Sequence, residues 1–259
     1  IQIYLNESEG VKDRGKYYDD AGVIKDMFQN HILQVLSLIA MEEPENLTAE
    51  EISDKKVEVF KELADNDLSN IDRHIVRGQY DSEQVDGEKI NSYQEEKGID
   101  PQSKTATFLA LKLFLNNERW QGVPIYLKSG KRLNKKEAAI AVEFKDDFHS
   151  AYLDQKNIDN NLLLIKIQPE EGVSLRFNTR KPASNNKIIP VEMEFCQSCQ
   201  QFFNSPENYE GLIYDMIAGD KTLFTSWEEV CYSWKFIDKI QAKCEEENIT
   251  LHKYPALSQ

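Results

Sequence analysis

One histidine lies in a largely apolar segment of helical sequence. From Asp20 to Met41, apolar residues recur at helical spacing and then nearly fill the helix surface, which predicts a buried helix. Five polar residues interrupt them, namely Asp26, Gln29, Asn30, His31 and Gln34. A buried polar group without a hydrogen bond costs about 1 to 3 kcal/mol, so this polar band requires an internal network or a polar ligand.

His31 is the first candidate for catalysis. Histidine side chains in water have a pKa near about 6.5, so an imidazole can take a proton from a hydroxyl group at neutral pH. The alternative is structural, because a single histidine on an apolar helix is usually a satisfied core residue. Asp26 precedes His31 by five positions, about 140° around an α-helix, so we expect no tight pair, although both residues could flank one ligand.

The most basic short segment follows a predicted strand. It surrounds the Ser-Gly turn at 129–130 and contains Lys128, Lys131, Arg132, Lys135 and Lys136. Such a basic rim can bind a phosphate group. The alternative is an exposed hairpin whose lysines serve solubility.

Charge and hydropathy argue against several classes of partner. The chain has 259 residues, with 45 acidic and 31 basic side chains and a net charge of −14, so it would repel nucleic acid. No apolar stretch reaches the roughly 18 residues of a membrane-spanning helix, and no signal-peptide pattern opens the chain, so we expect a soluble, cytoplasmic protein without a membrane partner. Neither GxGxxG nor GxxxxGK[ST] occurs, so the chain lacks a nucleotide-phosphate loop of its own.

The cysteines do not form a clear metal motif. Cys196 and Cys199 form a CxxC, which is compatible with zinc or thiol exchange, but no second CxxC follows. Apolar and aromatic neighbours surround these two residues and Cys231, so we interpret them as small buried hydrophobic residues and expect no metal site.

Helices precede and follow a run of strands. Predicted strands cover residues 1–5, 124–128, 138–144, 162–168, 173–178 and 188–195, with an extended segment at 73–77. Predicted helices cover 20–41, 48–64, 88–97, 206–218 and 226–246, of which 88–97 is weakly patterned. No helix-length segment separates the later strands, so hairpins and an α+β fold are expected, with a large mainly antiparallel mixed sheet and helices on one face. The first strand starts without an initiator methionine, as if the chain were cut within a fold.

Several collinear motifs resemble the C-terminal domain of the glucose-6-phosphate dehydrogenase family. They are RGKYYD at 14–19, DMFQNHILQ at 26–34, AMEEP at 40–44, NERWQGVP at 117–124, SGKRLN at 129–134, IQP at 167–169 and, more weakly, DMIAGD at 215–220. The resemblance spans nearly the whole chain. It implies that residues 1–259 form this substrate-binding and dimerisation domain, and that the Rossmann coenzyme domain precedes residue 1 and is absent from the chain.

The resemblance also implies roles for individual residues. His31 would be the general base, Glu7 and Asp26 would bind sugar hydroxyls, Lys131 and Lys136 would bind the sugar phosphate, and Gln168 would contact the substrate. Without the resemblance, Glu7 belongs to an ordinary acidic surface and Gln168 is an ordinary strand-end amide.

The implied reaction oxidises glucose 6-phosphate to 6-phosphogluconolactone with NADP, in the pentose phosphate pathway. NADP would bind mainly to the absent domain, and the sheet would form a homodimer or a dimer of dimers. Some family members bind a second, structural NADP. Lys128, Lys166 and Arg176 keep the positive charge expected at that second site. Glu137 and Ala141, however, stand where basic residues would be expected, so we predict that this site is missing.

The alternative is a non-catalytic module that serves in dimerisation or sugar-phosphate binding. A start codon directly before Ile1 would favour this alternative. An upstream reading frame encoding G-x-x-G-x-L and DHYLGK would favour the enzyme.

Overall fold

One large β-sheet forms the centre of the fold. The computed structural model describes residues 1–85, 87–145, 159–183, 187–196 and 208–258. The strands in these ranges are β1 Gln2–Asn6, β2 Ile75–Asp81, β3 Glu83–Val85, β4 Glu88–Ile90, β5 Phe108–Leu113, β6 Ile125–Gly130, β7 Glu137–Glu143, β8 Leu162–Gln168, β9 Gly172–Arg180, β10 Ile188–Cys196 and β11 Leu251–Pro255. A 9-stranded sheet has the order β10-β9-β8-β7-β1-β6-β5-β2-β11, and β3 pairs with β4 separately.

Most neighbouring strands of the sheet are antiparallel. Within the described ranges, only β1 with β6 and β2 with β11 run parallel. Parallel neighbours need a long crossover, which the helices between β1 and β6 supply. The predicted α+β class with a large, mainly antiparallel mixed sheet is confirmed.

Two of the helices begin at polar capping residues. The helices are α1 Gly15–Val23, a π-helix at Ile24–Ile32, α2 Leu33–Ala40, α3 Ala49–Asp65, α4 Asn208–Ala218 and α5 Trp227–Glu246. The Thr48 hydroxyl caps α3 by accepting a hydrogen bond from the Glu51 N–H at 3.3 Å, and Ser226 forms a capping box with Glu229 at α5. The first two residues of the predicted helix 206–218 lie outside the described residues. No helix in the described ranges is long and apolar enough to cross a membrane.

The helix predicted over residues 20–41 is present from Val23 to Ala40 but is interrupted at Gly22. Gly22 has φ +60° and ψ 179°, which breaks the helical path before Val23. A Cβ atom at Gly22 would lie 3.1 Å from Thr105 Cγ2, so both the conformation and the space favour glycine. The Val23 N–H donates to the Ala106 carbonyl at 3.0 Å, which ties the break to the segment before β5.

The main apolar core lies between the helices and one face of the sheet. Phe28 and Leu33 of the histidine-bearing segment are fully buried, together with Phe60 of α3, Leu127 of β6 and Phe236 of α5. Burial of side chains of this size contributes about 1.5 to 3 kcal/mol each. The core therefore holds the π-helix firmly against β1 and β6.

Three segments differ from the sequence predictions. Residues 88–97 are not a helix, because β4 is followed by a single 3-10 turn at Tyr93–Glu95 whose capping box begins at Ser92. Strand β5 was not predicted as a strand, although its side chains alternate between buried and partly exposed. Strand β11 was also missed, because its side chains are mostly exposed at the sheet edge and carry little apolar pattern.

The cysteine predictions are partly wrong. Cys231 is exposed and Cys244 is buried, and both are free thiols. Cys196 is disulfide-bonded, so it is not simply a small hydrophobic residue. Cys199 lies outside the described residues.

Candidate active site

The ends of four neighbouring strands in the interior of the sheet, β1, β6, β7 and β8, meet on the same side. Asn6, at the end of β1, pairs with Gly130 of the parallel strand β6 and with Glu137 at the start of the antiparallel strand β7. Gln168, at the end of β8, pairs with Ala138 of β7. Because paired strands lie about 4.7 to 4.9 Å apart, the residues adjoining these four ends are close together in space.

Glu7 and Lys131 meet because they occupy equivalent positions on two parallel strands. Each residue directly follows its strand, and the Glu7 N–H donates to the Gly130 carbonyl at 2.9 Å. The Lys131 ammonium forms an ion pair with the Glu7 carboxylate. Lys131 is only 1% exposed, so this cation is almost entirely removed from water.

Asp26 is the second carboxylate beside Lys131. Asp26 Oδ2 lies 3.6 Å from Lys131 Nζ, and the Tyr17 hydroxyl donates to Asp26 Oδ1 at 3.4 Å. Two carboxylates and one ammonium leave an excess negative charge and unused acceptor positions. Such a group can accept hydrogen bonds from the hydroxyls of a sugar.

Two tyrosines border this charged group. Burial is the main cause that raises the pKa of Tyr17, and the Asp26 charge adds to it. Burial also raises the pKa of Tyr18 well above its usual value, again with a contribution from Asp26. Both hydroxyls therefore stay neutral over the physiological pH range.

A cavity of about 420 Å³ lies beside the charged group and is lined by four of the six predicted site residues, Glu7, His31, Lys136 and Gln168. This volume is within the range of small-molecule sites. His31 and Lys136 are exposed, so a ligand can reach both side chains. Asp26 and Lys131 do not line the cavity and lie behind Glu7.

The polar band of the histidine segment divides between two environments. The buried Gln29 donates through Nε2 to Ser233 Oγ of α5 at 3.3 Å. Asn30, His31 and Gln34 line the cavity instead. His31 is exposed, so the alternative of a satisfied core histidine is wrong. In the described part of the chain, no hydrogen bond or ion pair gives His31 a structural partner.

The π-helix changes the expected relation between Asp26 and His31. The Leu33 N–H donates to the Phe28 carbonyl, which is the i to i+5 pattern of a π-helix. Residues five apart are then about one turn apart, so the 140° separation derived for an α-helix does not apply. Asp26 faces the buried ammonium, and His31 reaches the cavity.

A β-bulge helps to place Gln168. The register between β7 and β8 shifts between Ala138 and Ala139, which leaves Ile167 as the extra residue of β8. Bulges redirect neighbouring side chains, and both Ile167 and Gln168 line the cavity. The Gln168–Pro169 peptide bond is cis.

Asn6 and Tyr17 are two further site residues that the sequence motifs did not indicate. Asn6 lines the cavity, and its buried Oδ1 has no hydrogen-bond partner among the described residues. Its place directly before Glu7 was the available signal. Tyr17 belongs to the quoted RGKYYD motif, but only the fold shows that it contacts Asp26.

A family model described as "Glucose-6-phosphate dehydrogenase, C-terminal domain" matches residues 1–259. The chain is 43% identical over 241 residues to the glucose-6-phosphate 1-dehydrogenase of Bacillus subtilis (strain 168), covering 93% of this chain and 49% of that protein. The enzyme of the same name from Chlamydia trachomatis serovar D is 40% identical over 262 residues, covering 99% of this chain and 58% of that protein. The chain thus spans about half the length of the curated relatives it matches.

Two solved structures share the fold. A glucose-6-phosphate dehydrogenase in complex with its substrate glucose-6-phosphate matches with a TM-score of 0.88 and 35% identity, over 100% of this chain and 52% of that chain. The glucose-6-phosphate 1-dehydrogenase of Mycobacterium avium matches with a TM-score of 0.78 and 29% identity, over 99% of this chain and 51% of that chain. Both matches include the sheet and the helices that carry the cavity.

Proposed function

This chain belongs to the glucose-6-phosphate dehydrogenase family, as its motifs predict, and on that basis we propose that it is the substrate-binding half of a glucose-6-phosphate 1-dehydrogenase. The proposed enzyme oxidises glucose 6-phosphate to 6-phosphogluconolactone in the pentose phosphate pathway. The main support is the cavity that Glu7, His31, Lys136 and Gln168 line together, in a fold that matches an enzyme bound to glucose 6-phosphate.

His31 is the proposed general base. Its exposed imidazole lines the cavity and is free of protein partners among the described residues, so it is available to accept a proton. In the proposed reaction it takes the proton of the C1 hydroxyl while the C1 hydrogen leaves with its electron pair as hydride. The electron pair of the broken O–H bond becomes the second C–O bond of the lactone.

Lys136 is the proposed primary phosphate ligand. Its ammonium is exposed at the cavity, and a charge-assisted hydrogen bond to a phosphate oxygen is strong. Lys131 is buried and already paired with Glu7. To contact phosphate directly, Lys131 would therefore have to give up its ion pair with Glu7. In the position that it occupies, Lys131 holds the Glu7 and Asp26 carboxylates in place.

Glu7 and Gln168 line the cavity and are the proposed direct ligands of the sugar ring, whereas Asp26 is proposed to support them from behind through its contact with Lys131. The Glu7 carboxylate accepts hydrogen bonds from hydroxyl groups, and the Gln168 amide can donate as well as accept. Holding the ring beside His31 turns proton transfer into a reaction between oriented groups, which lowers its entropic cost.

NADP is the proposed hydride acceptor, held mainly by a coenzyme domain outside this chain. The residues present do not fit a primary NADP site, because the sequence contains no GxGxxG loop. At the possible second site, Lys166 is ion-paired with Glu194, and Glu137 with Lys135. We therefore assign no NADP contact to this chain.

A homodimer through the sheet is also part of the proposal. The sheet face opposite the main core carries a broad depression of about 1010 Å³, lined in part by Tyr4, Lys112 and Tyr126. Tyr126 and Val76 are half exposed there. A second copy covering this face would remove that apolar surface from water.

A cytoplasmic location remains a prediction that cell fractionation can test.

The proposal is tested by assaying the full-length protein and the isolated chain with glucose 6-phosphate and NADP. We expect the full-length protein to form NADPH, and the isolated chain to form none because it lacks a hydride-acceptor site. A full-length protein that binds glucose 6-phosphate without oxidising it would contradict the proposal and favour the non-catalytic module.

A further inference from the structure

Lys131 contacts two tyrosines in addition to its two carboxylates. Its Nζ lies 4.8 Å from the centroid of the Tyr18 ring. Its carbonyl accepts a hydrogen bond from the Tyr254 hydroxyl at 2.7 Å, and its N–H donates to the Thr107 carbonyl at 2.9 Å. Lys131 is therefore held by contacts to both its side chain and its main chain.

We propose that Tyr18 and Tyr254 are positioning residues for Lys131, with Tyr18 holding the ammonium and Tyr254 holding the main chain. This inference rests on the function proposed above, in which Lys131 holds the Glu7 and Asp26 carboxylates of the substrate site in place. Neither tyrosine lines the cavity, so each acts on the substrate through Lys131.

Tyr18 acts through its ring. The side chain is fully buried, and its hydroxyl has no hydrogen-bond partner among the described residues. The aromatic face, in contrast, lies within the distance at which a ring attracts an ammonium ion. Tyr93 packs against Tyr18 edge-on, with a centroid distance of 6.1 Å, and so fixes the plane of the ring.

Tyr254 acts through its hydroxyl. The hydroxyl donates to the Lys131 carbonyl and lies 2.9 Å from Thr107 Oγ1, which can donate to it. The ring packs edge-on against Phe108 and Tyr80, so the hydroxyl has little freedom to move. Because Tyr254 belongs to β11, this edge strand supports the turn that carries Lys131.

The Tyr18 contact is tested in the full-length enzyme with Tyr18→Leu, Tyr18→Phe, Lys131→Met and the double variant Tyr18→Leu/Lys131→Met. We expect Tyr18→Leu to raise KM for glucose 6-phosphate about three- to ten-fold with kcat within about two-fold, because the ring attraction is lost. Tyr18→Phe should restore KM, since it keeps the ring. In the Lys131→Met background, Tyr18→Leu should change KM no further. Equal effects of Tyr18→Leu in both backgrounds would overturn the proposal.

Thermal unfolding of the same variants separates this inference from the proposed function. If Lys131→Met leaves KM unchanged, the substrate role of Lys131 fails. The Tyr18 contact is then judged by the Tm values alone. Non-additive Tm shifts for Tyr18→Leu and Lys131→Met support the contact, and additive shifts overturn it.

Tyr254→Phe keeps the proposal testable even if Tyr18→Leu does not fold, because it removes a single oxygen atom. We expect it to raise KM for glucose 6-phosphate about two- to ten-fold with little change in kcat. Tyr93→Phe is the matched control, since Tyr93 lies in the same aromatic cluster but its hydroxyl donates to Asp19. An equal rise in KM for Tyr254→Phe and Tyr93→Phe, or no rise for either, would overturn the role of Tyr254.

Discussion

The buried Lys131 ammonium forms an ion pair with the partly exposed Glu7 carboxylate, although the two residues are 124 positions apart in the chain. The pair forms because β1 and β6 are parallel neighbours whose last residues, Asn6 and Gly130, lie side by side, so that the residues following them are adjacent. It joins the SGKRLN motif at 129–134 to the residue that directly follows the first strand. The integrity of the site therefore depends on this long-range pairing.

We predict that Glu7→Gln destabilises the chain by about 2 to 3 kcal/mol. Removal of one partner of a buried ion pair usually costs about 3 to 5 kcal/mol, and Asp26 near Lys131 offsets part of this loss. Urea unfolding of the variant measures the change. Glu9→Gln is the control, because the Glu9 pair with Lys12 is exposed to solvent, which screens it, and should contribute far less to stability. Equal stability changes for the two variants would contradict the prediction.

Lys136→Ala should weaken binding of glucose 6-phosphate specifically. In the full-length enzyme we expect KM for this substrate to rise by about ten-fold or more, since a charge-assisted hydrogen bond is worth about 1.5 to 3 kcal/mol. The KM for unphosphorylated glucose should change little. Steady-state kinetics with both substrates provide the measurement.

Lys135→Ala is the matched control for Lys136. Lys135 is its exposed neighbour, but it pairs with Glu137 at 2.8 Å and does not line the 420 Å³ cavity. Its replacement should leave KM for glucose 6-phosphate within about two-fold of wild type. If Lys135→Ala has the larger effect, the phosphate lies on the other side of the hairpin.

The stabilising effect of Asp19 should disappear in acid. Burial raises the pKa of this carboxyl group. Hydrogen bonds from Ser103 and Tyr93 lower the pKa and outweigh the effect of burial, so the pKa lies below its usual value of 3.8. A depressed folded-state pKa stabilises the fold above the unfolded-state pKa, and this contribution is lost as the pH falls through the folded-state value. Asp19→Asn should therefore cost about 1 to 2 kcal/mol at neutral pH and progressively less below about pH 4.

Urea unfolding at several pH values tests the Asp19 prediction. Asp20→Asn provides the control, because Asp20 is exposed and should change stability by less than about 0.5 kcal/mol at every pH. A destabilisation by Asp19→Asn that is constant from neutral pH to about pH 3 would show that the carboxylate charge contributes nothing.

The sequence predicted those features of the fold that depend on local pattern. The strand before Glu7 and the helices α3 and α5 could be read from strand alternation and helical spacing, and the structure confirms them. The residues Glu7, His31, Lys136 and Gln168 came from motif resemblance, and the fold brings them to one cavity.

Features that depend on long-range contacts could not be predicted. The burial of Lys131 follows from the parallel pairing of β1 with β6, which no local pattern in the SGKR segment encodes. The relative placement of Asp26 and His31 follows from the π-helix, whereas the apolar spacing indicated an ordinary α-helix. The edge strand β11 lacks apolar alternation and forms only by pairing with β2.

The role of His31 is the central claim, and His31→Asn in the full-length enzyme tests it most directly. Asparagine keeps a polar side chain but cannot serve as a base near neutral pH, so we expect kcat to fall about 10²- to 10⁴-fold while KM for glucose 6-phosphate changes little. The control is His252→Asn, an exposed histidine on β11, which should leave both constants unchanged. A kcat for His31→Asn within about three-fold of wild type would contradict the account, because the cavity would then hold a base other than His31.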